Sequence, residues 1–371
     1  MEHIVNVLPG KHSAEPGKKE LRKLEQPPDD KKSYVIPQFE GEVLSIPGSK
    51  SVFRIMTSAL QTDDTIAVLT SGGALADAPG FHHHEEAHDV FLVTKGHVKL
   101  WNGDKCKIMG PGDFGYVPPH IIHNPQMLGP STETFGLITP ASWLNFFRYV
   151  AEKYDGILYP EFDDRNLKEI LIPKIMAAKG QFDVHFHPHY EGCAVSEWDA
   201  DDEKLPNGNL PYYLRANTGP RWLLGGVLSR PFITTRQSAG KFAISSIESS
   251  SRYGSSVFDR KMTFPSVHHC LSIVEGALEV TVEDLTPCVL REGETIFIAA
   301  GTPFALKFAS KFVRVWSFTS GDGIEAFVHE AGEPWKGYAI PDSAGAVDET
   351  QLPMRFSVLS APFLHSRLSL T

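Results

Sequence analysis

Residues 79–96 read PGFHHHEEAHDVFLVTKG, and this stretch decides the fold. A strand turns successive side chains to opposite faces, so His82 and His84 share one face and His83 takes the other. The residues EEAH suit a turn that sends the chain back. A second strand then opens at Asp89, with Asp89, Phe91 and Val93 on one face. Farther on, GDFGYVPPHIIHN (112–124) brings His123 in after a Pro-Pro turn.

The same texture extends outward on both sides. VFRIMTSAL, TIAVLTSG and HVKLW are short Val-, Ile-, Phe- and Thr-rich runs separated by Gly, Pro, Asp and Asn, the spacing of an all-β barrel or sandwich. It lasts from Tyr34 to about Pro140. After Ser142, Trp143, Phe146, Phe147 and Val150 recur at three- and four-residue spacing, which predicts an amphipathic helix. A second helix is expected over Asn166 to Ala178, kinked near Pro173. A polar, acidic connector follows from about Gly180 to Asn209, and β texture returns from Leu210 to roughly Phe327.

The two β regions repeat one pattern. VFLVTKGHVKLW with Gly96 matches LSIVEGALEVTV with Gly276, and PGDFGYVPPHIIHN with Gly112 matches EGETIFIAAGTPF with Gly293. The offsets are 180 and 181 residues, so two independent landmarks agree on an internal duplication. The expected organisation is an N-terminal arm (1–33), a first barrel (34–140), a helical segment and linker (141–209), a second barrel (210–330) and a C-terminal tail (331–371).

Bulk properties narrow the function. The chain has 371 residues, 42% of them hydrophobic and 22% charged, as an ordinary globular protein has. A net charge of −10 leaves no basic surplus to displace counterions from nucleic acid. No apolar run approaches membrane-spanning length. The N-terminus lacks a signal-peptide h-region, so cytoplasm is the expected location. Cys106, Cys193, Cys270 and Cys288 are widely spaced and read as reduced thiols.

The histidine spacing resembles the two cupin signatures, G-x5-H-x-H-x3-4-E-x6-G and G-x5-P-x-G-x2-H-x3-N. Four residues separate His84 from Asp89, and six separate Asp89 from Gly96. Gly112, Pro118 and His123 fall on the second signature. Ala76 stands for the leading glycine, His120 for a later one, and the terminal asparagine is missing. Within the cupins, Tyr34 to about Ser320 resembles the quercetin 2,3-dioxygenase (flavonol dioxygenase) bicupins, through YVIP, FLVTKGHVKLW, NTGPRWLLGG and GKFAISSIESS.

The resemblance implies an all-β fold of two cupin (jelly-roll) barrels in tandem with a helical inter-domain segment. It also implies one divalent transition metal (Cu, Fe, Ni, Co, Mn or Zn) on His82, His84, His123 and the carboxylate position. Asp89 holds that position where the family has glutamate, and one methylene less of reach leaves it either a ligand or a base standing just behind the ligands. In the second repeat the equivalent positions are Met262, Phe264, His269 and Phe304, so a degenerate barrel without metal is expected.

The activity implied is a metal-dependent dioxygenase acting with O2 on a flavonol-like or other enolic or phenolic aromatic, with Asp89 as the catalytic base. Two alternatives stand beside it: a non-oxidative cupin isomerase, cyclase or decarboxylase of secondary metabolism, and a non-catalytic ligand-binding bicupin. Tyr34, Phe91 and Tyr116 are candidate pocket residues. His83, Glu85, Glu86 and His88 read as turn and outer-face residues, and HFHPHY (185–190) as a linker with solvated histidines. Expected partners are a small aromatic and O2, with no nucleic acid and no membrane. A homodimer is the common assembly in this resemblance.

Overall fold

Alternating runs of β-branched and aromatic residues, stopped by Gly and Pro, form strands that close into two jelly-roll barrels. The computed structural model describes residues 19–74, 80–347 and the backbone of 357–358. Ala76, the first 18 residues of the expected arm and most of the tail beyond 347 lie outside the described residues.

The first half contributes β1 (Tyr34–Ile36), β2 (Glu42–Ser45), β3 (Ser51–Thr57), α1 (Ala59–Thr62), β4 (Ala67–Gly73), β5 (His82–His83) and β6 (His88–Lys95). These are followed by β7 (Val98–Asn102), β8 (Lys105–Met109), β9 (Phe114–Val117), β10 (His123–Met127) and β11 (Thr132–Thr139). The segment between the barrels holds α2 (Asn145–Val150), β12 (Glu152–Lys153), α3 (Leu167–Ala177) and β13 (His185–Phe186). Asn166 caps α3 by accepting from the Lys168 amide, and Pro173 sits inside the helix without ending it. After β14 (Tyr212–Leu214) come β15 (Trp222–Leu224), β16 (Val227–Ile233), β17 (Ala243–Ser249), β18 (Met262–Thr263), β19 (His269–Glu275) and β20 (Ala277–Val282). The last elements are β21 (Cys288–Arg291), β22 (Thr295–Ile298), β23 (Phe304–Phe308), β24 (Val313–Thr319), α4 (Ile324–Ala331), β25 (Glu333–Pro334) and β26 (Ser357–Val358).

The duplication is visible strand for strand. One eight-stranded sheet runs β12-β2-β3-β4-β11-β6-β9-β14, and the other runs β25-β15-β16-β17-β24-β19-β22-β1. The five-stranded sheets correspond as β13-β5-β10-β7-β8 and β26-β18-β23-β20-β21. Gly96 and Gly276, the landmarks of the repeat, both have positive φ, and an added Cβ would collide with Thr132 and with the Phe312 carbonyl.

The last strand of each large sheet is exchanged. β1 pairs with β22 of the second barrel, while β14 pairs with β9 of the first. The expected boundaries at 34 and 210 are therefore corrected: Tyr34–Ile36 belongs to the second sheet and Tyr212–Leu214 to the first. The arm is also less loose than its composition suggests, since Leu21 is buried in the second core. The two large sheets meet face to face through a shared core that includes Phe114, Phe135, Phe232, Trp316 and Phe318. Among the described residues, no helix is long and apolar enough to cross a membrane.

The interiors of the two barrels differ. In the second, Met262 stands opposite Phe304 in the ladder, and Phe264 stacks on Phe304 within the core. Beside them Glu325 is 1% exposed; its Oε1 accepts from the Gly323 amide and Thr319 Oγ1, and its Oε2 has no partner. Burial pushes its carboxyl up to about 7. Because the folded-state value lies above the unfolded one, folding favours the protonated form below about pH 4.5, and that contribution is lost as pH rises through about 7. Glu325→Gln is thus expected to leave stability near pH 4 unchanged and to raise it near pH 8 by up to about 3 kcal/mol. Thermal unfolding of both proteins across this range checks it, and parallel pH profiles would contradict it.

Candidate metal centre

The centre starts from one ladder position. His82 on β5 lies directly opposite His123 on β10, and His123 in turn lies opposite Asn102 on β7. Directly opposed residues put their side chains on the same face, so both rings enter the barrel. Their centroids are 4.2 Å apart. His84, one strand repeat beyond His82, brings its ring within 5.2 Å of His82 and 5.3 Å of His123. Asp89 arrives from β6, with Oδ2 3.0 Å from His123 Nε2 and 3.3 Å from His84 Nε2. All four residues are buried, and one ligand atom from each lies within 4.8 Å of the others.

Hydrogen bonds on the far side of each ring decide what the near side offers. His82 Nδ1 contacts the Gly80 carbonyl at 2.8 Å, His84 Nδ1 the Asp183 carbonyl at 2.5 Å, and His123 Nδ1 the Ile121 carbonyl at 3.0 Å. A carbonyl only accepts, so each Nδ1 carries the proton and each Nε2 presents a lone pair when the ring is neutral. His84 Nε2 and Asp89 Oδ1 have no hydrogen-bond partner although both are buried. Orphaned acceptors that converge in this way fit a divalent transition metal, and the N3O donor chemistry suits imidazole-preferring ions.

The electrostatics agree with the geometry. Burial, then the neighbouring His123 and His84, hold His82 well below the usual histidine range. Burial acts to lower His84 as well, yet Asp89 and the Asp183 carbonyl outweigh it and leave it raised. Burial acts to raise Asp89, and against it His84 and His123 hold the carboxyl far below the usual range. Asp89 is therefore a carboxylate at any physiological pH.

The centre floors an apolar cavity of about 160 Å³, with His82, Asp89 and Phe91 in its wall. Much of the remaining wall comes from the inter-barrel segment: Trp143, Phe146, Phe147, Leu167, Val184 and Phe186. Phe91 is in the cavity wall. Tyr116 is not. It pairs with Val90 in the ladder and shares that residue's face, away from Asp89. Its hydroxyl accepts from His88 Nδ1 and donates to Asn209, both at 2.6 Å. His88 is correspondingly a buried strand residue rather than part of a turn. Tyr34 is fully buried in the other barrel's sheet, opposite Phe297, because β1 is exchanged.

The connector is corrected too. Instead of a loose linker it straps the first barrel. β13 pairs with β5, setting His185 opposite His83 and Phe186 opposite His82. Trp101 Nε1 donates to the Cys193 carbonyl, and Lys107 forms a buried ion pair with Asp202 at 2.8 Å.

Asp183, absent from the sequence reading, is the strap's contribution to the centre. Its carbonyl accepts from His84 Nδ1 and Trp143 Nε1, while its carboxylate accepts the amides of Glu85, Glu86 and Ala87. That carboxylate closes the turn between His84 and Asp89 and so sets their separation. Its partners lie 96–98 residues away, and no local pattern announces them. Asp183→Ala is expected to weaken divalent-metal retention about tenfold or more, as loss of a residue that orients ligands does. Metal content after a graded chelator challenge measures this, with Asp183→Asn as the intermediate case.

Comparison with known proteins adds the following. A family model described as a cupin domain matches residues 74–134. The chain is 23% identical over 343 residues to the quercetin 2,3-dioxygenase of Aspergillus japonicus, covering 86% of this chain and 97% of that one. It is 22% identical over 315 residues to the quercetin 2,3-dioxygenase of Bacillus subtilis (strain 168), covering 85% and 90%. Similar solved structures include oxalate decarboxylase from Bacillus subtilis, at a TM-score of 0.46 and 12% identity over 78% of this chain and 76% of that one. Protein Ylba from E. coli is another, at a TM-score of 0.49 and 11% identity over 78% and 91%.

Proposed function

We propose that this chain, a member of the cupin superfamily related over most of its length to quercetin 2,3-dioxygenases, is a metal-dependent dioxygenase that uses O2 on an enolic or phenolic aromatic. One observation carries the reading: three imidazoles and a carboxylate converge at one point, and two of them, His82 and Asp89, open onto a largely apolar cavity. His82, His84 and His123, with Asp89 beside them, would hold one divalent transition metal, whose chemistry would be the activation of O2 toward an electron-rich substrate.

The protein's own groups supply the rest. Asp89, ionised at physiological pH and open to the cavity, takes the proton of the substrate hydroxyl onto a carboxylate oxygen. This leaves an electron-rich oxyanion beside the ligands. Phe91, Trp143, Phe147 and Phe186 provide apolar faces that orient an aromatic ring and exclude water from a reactive intermediate. A space of 160 Å³ is close to that of an engineered cavity that holds one benzene ring. The substrate therefore inserts one ring, and a larger flavonol extends its remaining rings through the mouth.

Asp89→Asn is expected to lower kcat by roughly 10²- to 10⁴-fold with little change in KM, and Asp89→Glu to restore part of the rate. The assay is oxygen uptake over a panel of flavonols and single-ring enols and phenols, run aerobically and anaerobically. Uptake with none of them overturns the reading. A second reading, in which the same centre serves a non-oxidative isomerisation, cyclisation or decarboxylation, draws on Asp89 replacing the glutamate of the resemblance. Turnover that persists without O2, or with Zn²⁺ as the metal, selects it.

A further inference from the structure

The outer face of β5 carries a second gathering of ligand-type side chains that the reaction proposed above does not use. His83 points away from the barrel interior, between the two inward histidines. β13 sets His185 directly opposite it. Directly opposed residues of antiparallel strands hold their Cβ atoms about 4.5–5.5 Å apart, close enough for two imidazoles to share one ion. The rings of His83 and His185 stack at 4.9 Å. On the other side of His83, His187 stands 4.9 Å away by centroids, with its Nε2 2.7 Å from His83 Nδ1. His187 is held there by its amide, which donates to the Phe81 carbonyl at 2.8 Å.

Glu85 completes the group from the turn after His84. Its Oε1 lies 3.9 Å from His185 Nε2, and the ligand atoms of His83, Glu85 and His185 all lie within 4.8 Å of one another. The Asp183 carboxylate, 3.8 Å from His185, is already committed to three amides of the same turn. Unlike the inner centre, this cluster meets solvent: the His185 and Glu85 side chains are 44% and 63% exposed. Its members come from segments about a hundred residues apart, and backbone pairing fixes where the two strands meet.

We propose that His83, His185 and Glu85 form a second, outward-facing site for an imidazole-preferring divalent cation such as Zn²⁺, with His187 hydrogen-bonded to His83 Nδ1 and so fixing the orientation of that ring. Nitrogen and carboxylate donors gathered at this spacing suit that ion, and ligation by neutral imidazole makes the affinity rise with pH. An ion there staples β13 to β5. The same two strands carry His82 inward and put Phe186 in the cavity wall, so the staple holds one wall of the cavity shut.

The test is Zn²⁺ binding by tag-free, full-length protein already carrying its inner metal. Binding is followed by calorimetry and by metal content after gel filtration. Wild type is expected to take up about one equivalent beyond the inner one, since one ligand set holds one ion. His185→Ala and, separately, Glu85→Gln are expected to lose that equivalent and keep the inner metal. His84→Ala should show the reverse, losing inner metal and keeping outer Zn²⁺, which separates failure of this proposal from failure of the inner centre. Zn²⁺ is further expected to slow proteolysis within 180–190 in wild type and not in His185→Ala. No additional equivalent in wild type, or one that survives both outer substitutions, overturns the proposal.

Discussion

Three hydrogen bonds from imidazole Nδ1 to backbone carbonyls govern the first barrel's chemistry. Without them each ring would be free to rotate and to exchange tautomers, and the lone pairs would not meet at one point. Backbone carbonyls do this well because their positions are set by chain geometry rather than by another rotamer. Two of the three, at Gly80 and Ile121, are only two residues from the histidine they orient. The third belongs to Asp183, on the strap, so the centre is complete only when the inter-barrel segment has docked.

This dependence ties specificity to the same segment. The inter-barrel segment supplies Trp143, Phe146, Phe147, Leu171 and Phe186 to the cavity wall as well as one hydrogen bond to the centre. Access for a substrate and order among the ligands are therefore coupled mechanically. The second barrel lacks this arrangement. Its equivalent positions hold Met262, Phe264, His269 and Phe304: the three apolar residues share one core, and the buried His269 ring packs against both phenylalanines.

Much of the architecture was legible in the chain because the governing signals are local. Period-two alternation gave the strands, and a glycine forced into positive φ gave each repeat its landmark at Gly96 and Gly276. His82, His84, Asp89 and His123 were legible as a group because strand parity and fixed spacing bring them together. Tyr116 obeys the same parity: it alternates with Val117, which opposes Asp89, and so faces the core shared with the other barrel. Tyr34, Asp183 and the pairing of His185 with His83 were not legible at all. Each depends on which distant segment docks beside which edge, and that is settled by packing across more than a hundred residues or close to it. HFHPHY reads as a linker, yet its first two residues, His185 and Phe186, are enough to pair with β5.

The exchange of β1 and β14 has a consequence for synthesis. As the chain leaves the ribosome, β9 has an open edge until Tyr212–Leu214 emerges, and β1 waits for Thr295–Ile298 before it finds a ladder. The first ladder has all its strands once residue 214 has been made, whereas the second needs β1 from the start of the chain and β22 from near its end, and each border unpaired in the interval is of the kind that recruits foreign strands. The N-terminal strand is thus the one kept waiting longest, since β1 gains its ladder only when Thr295–Ile298 emerges.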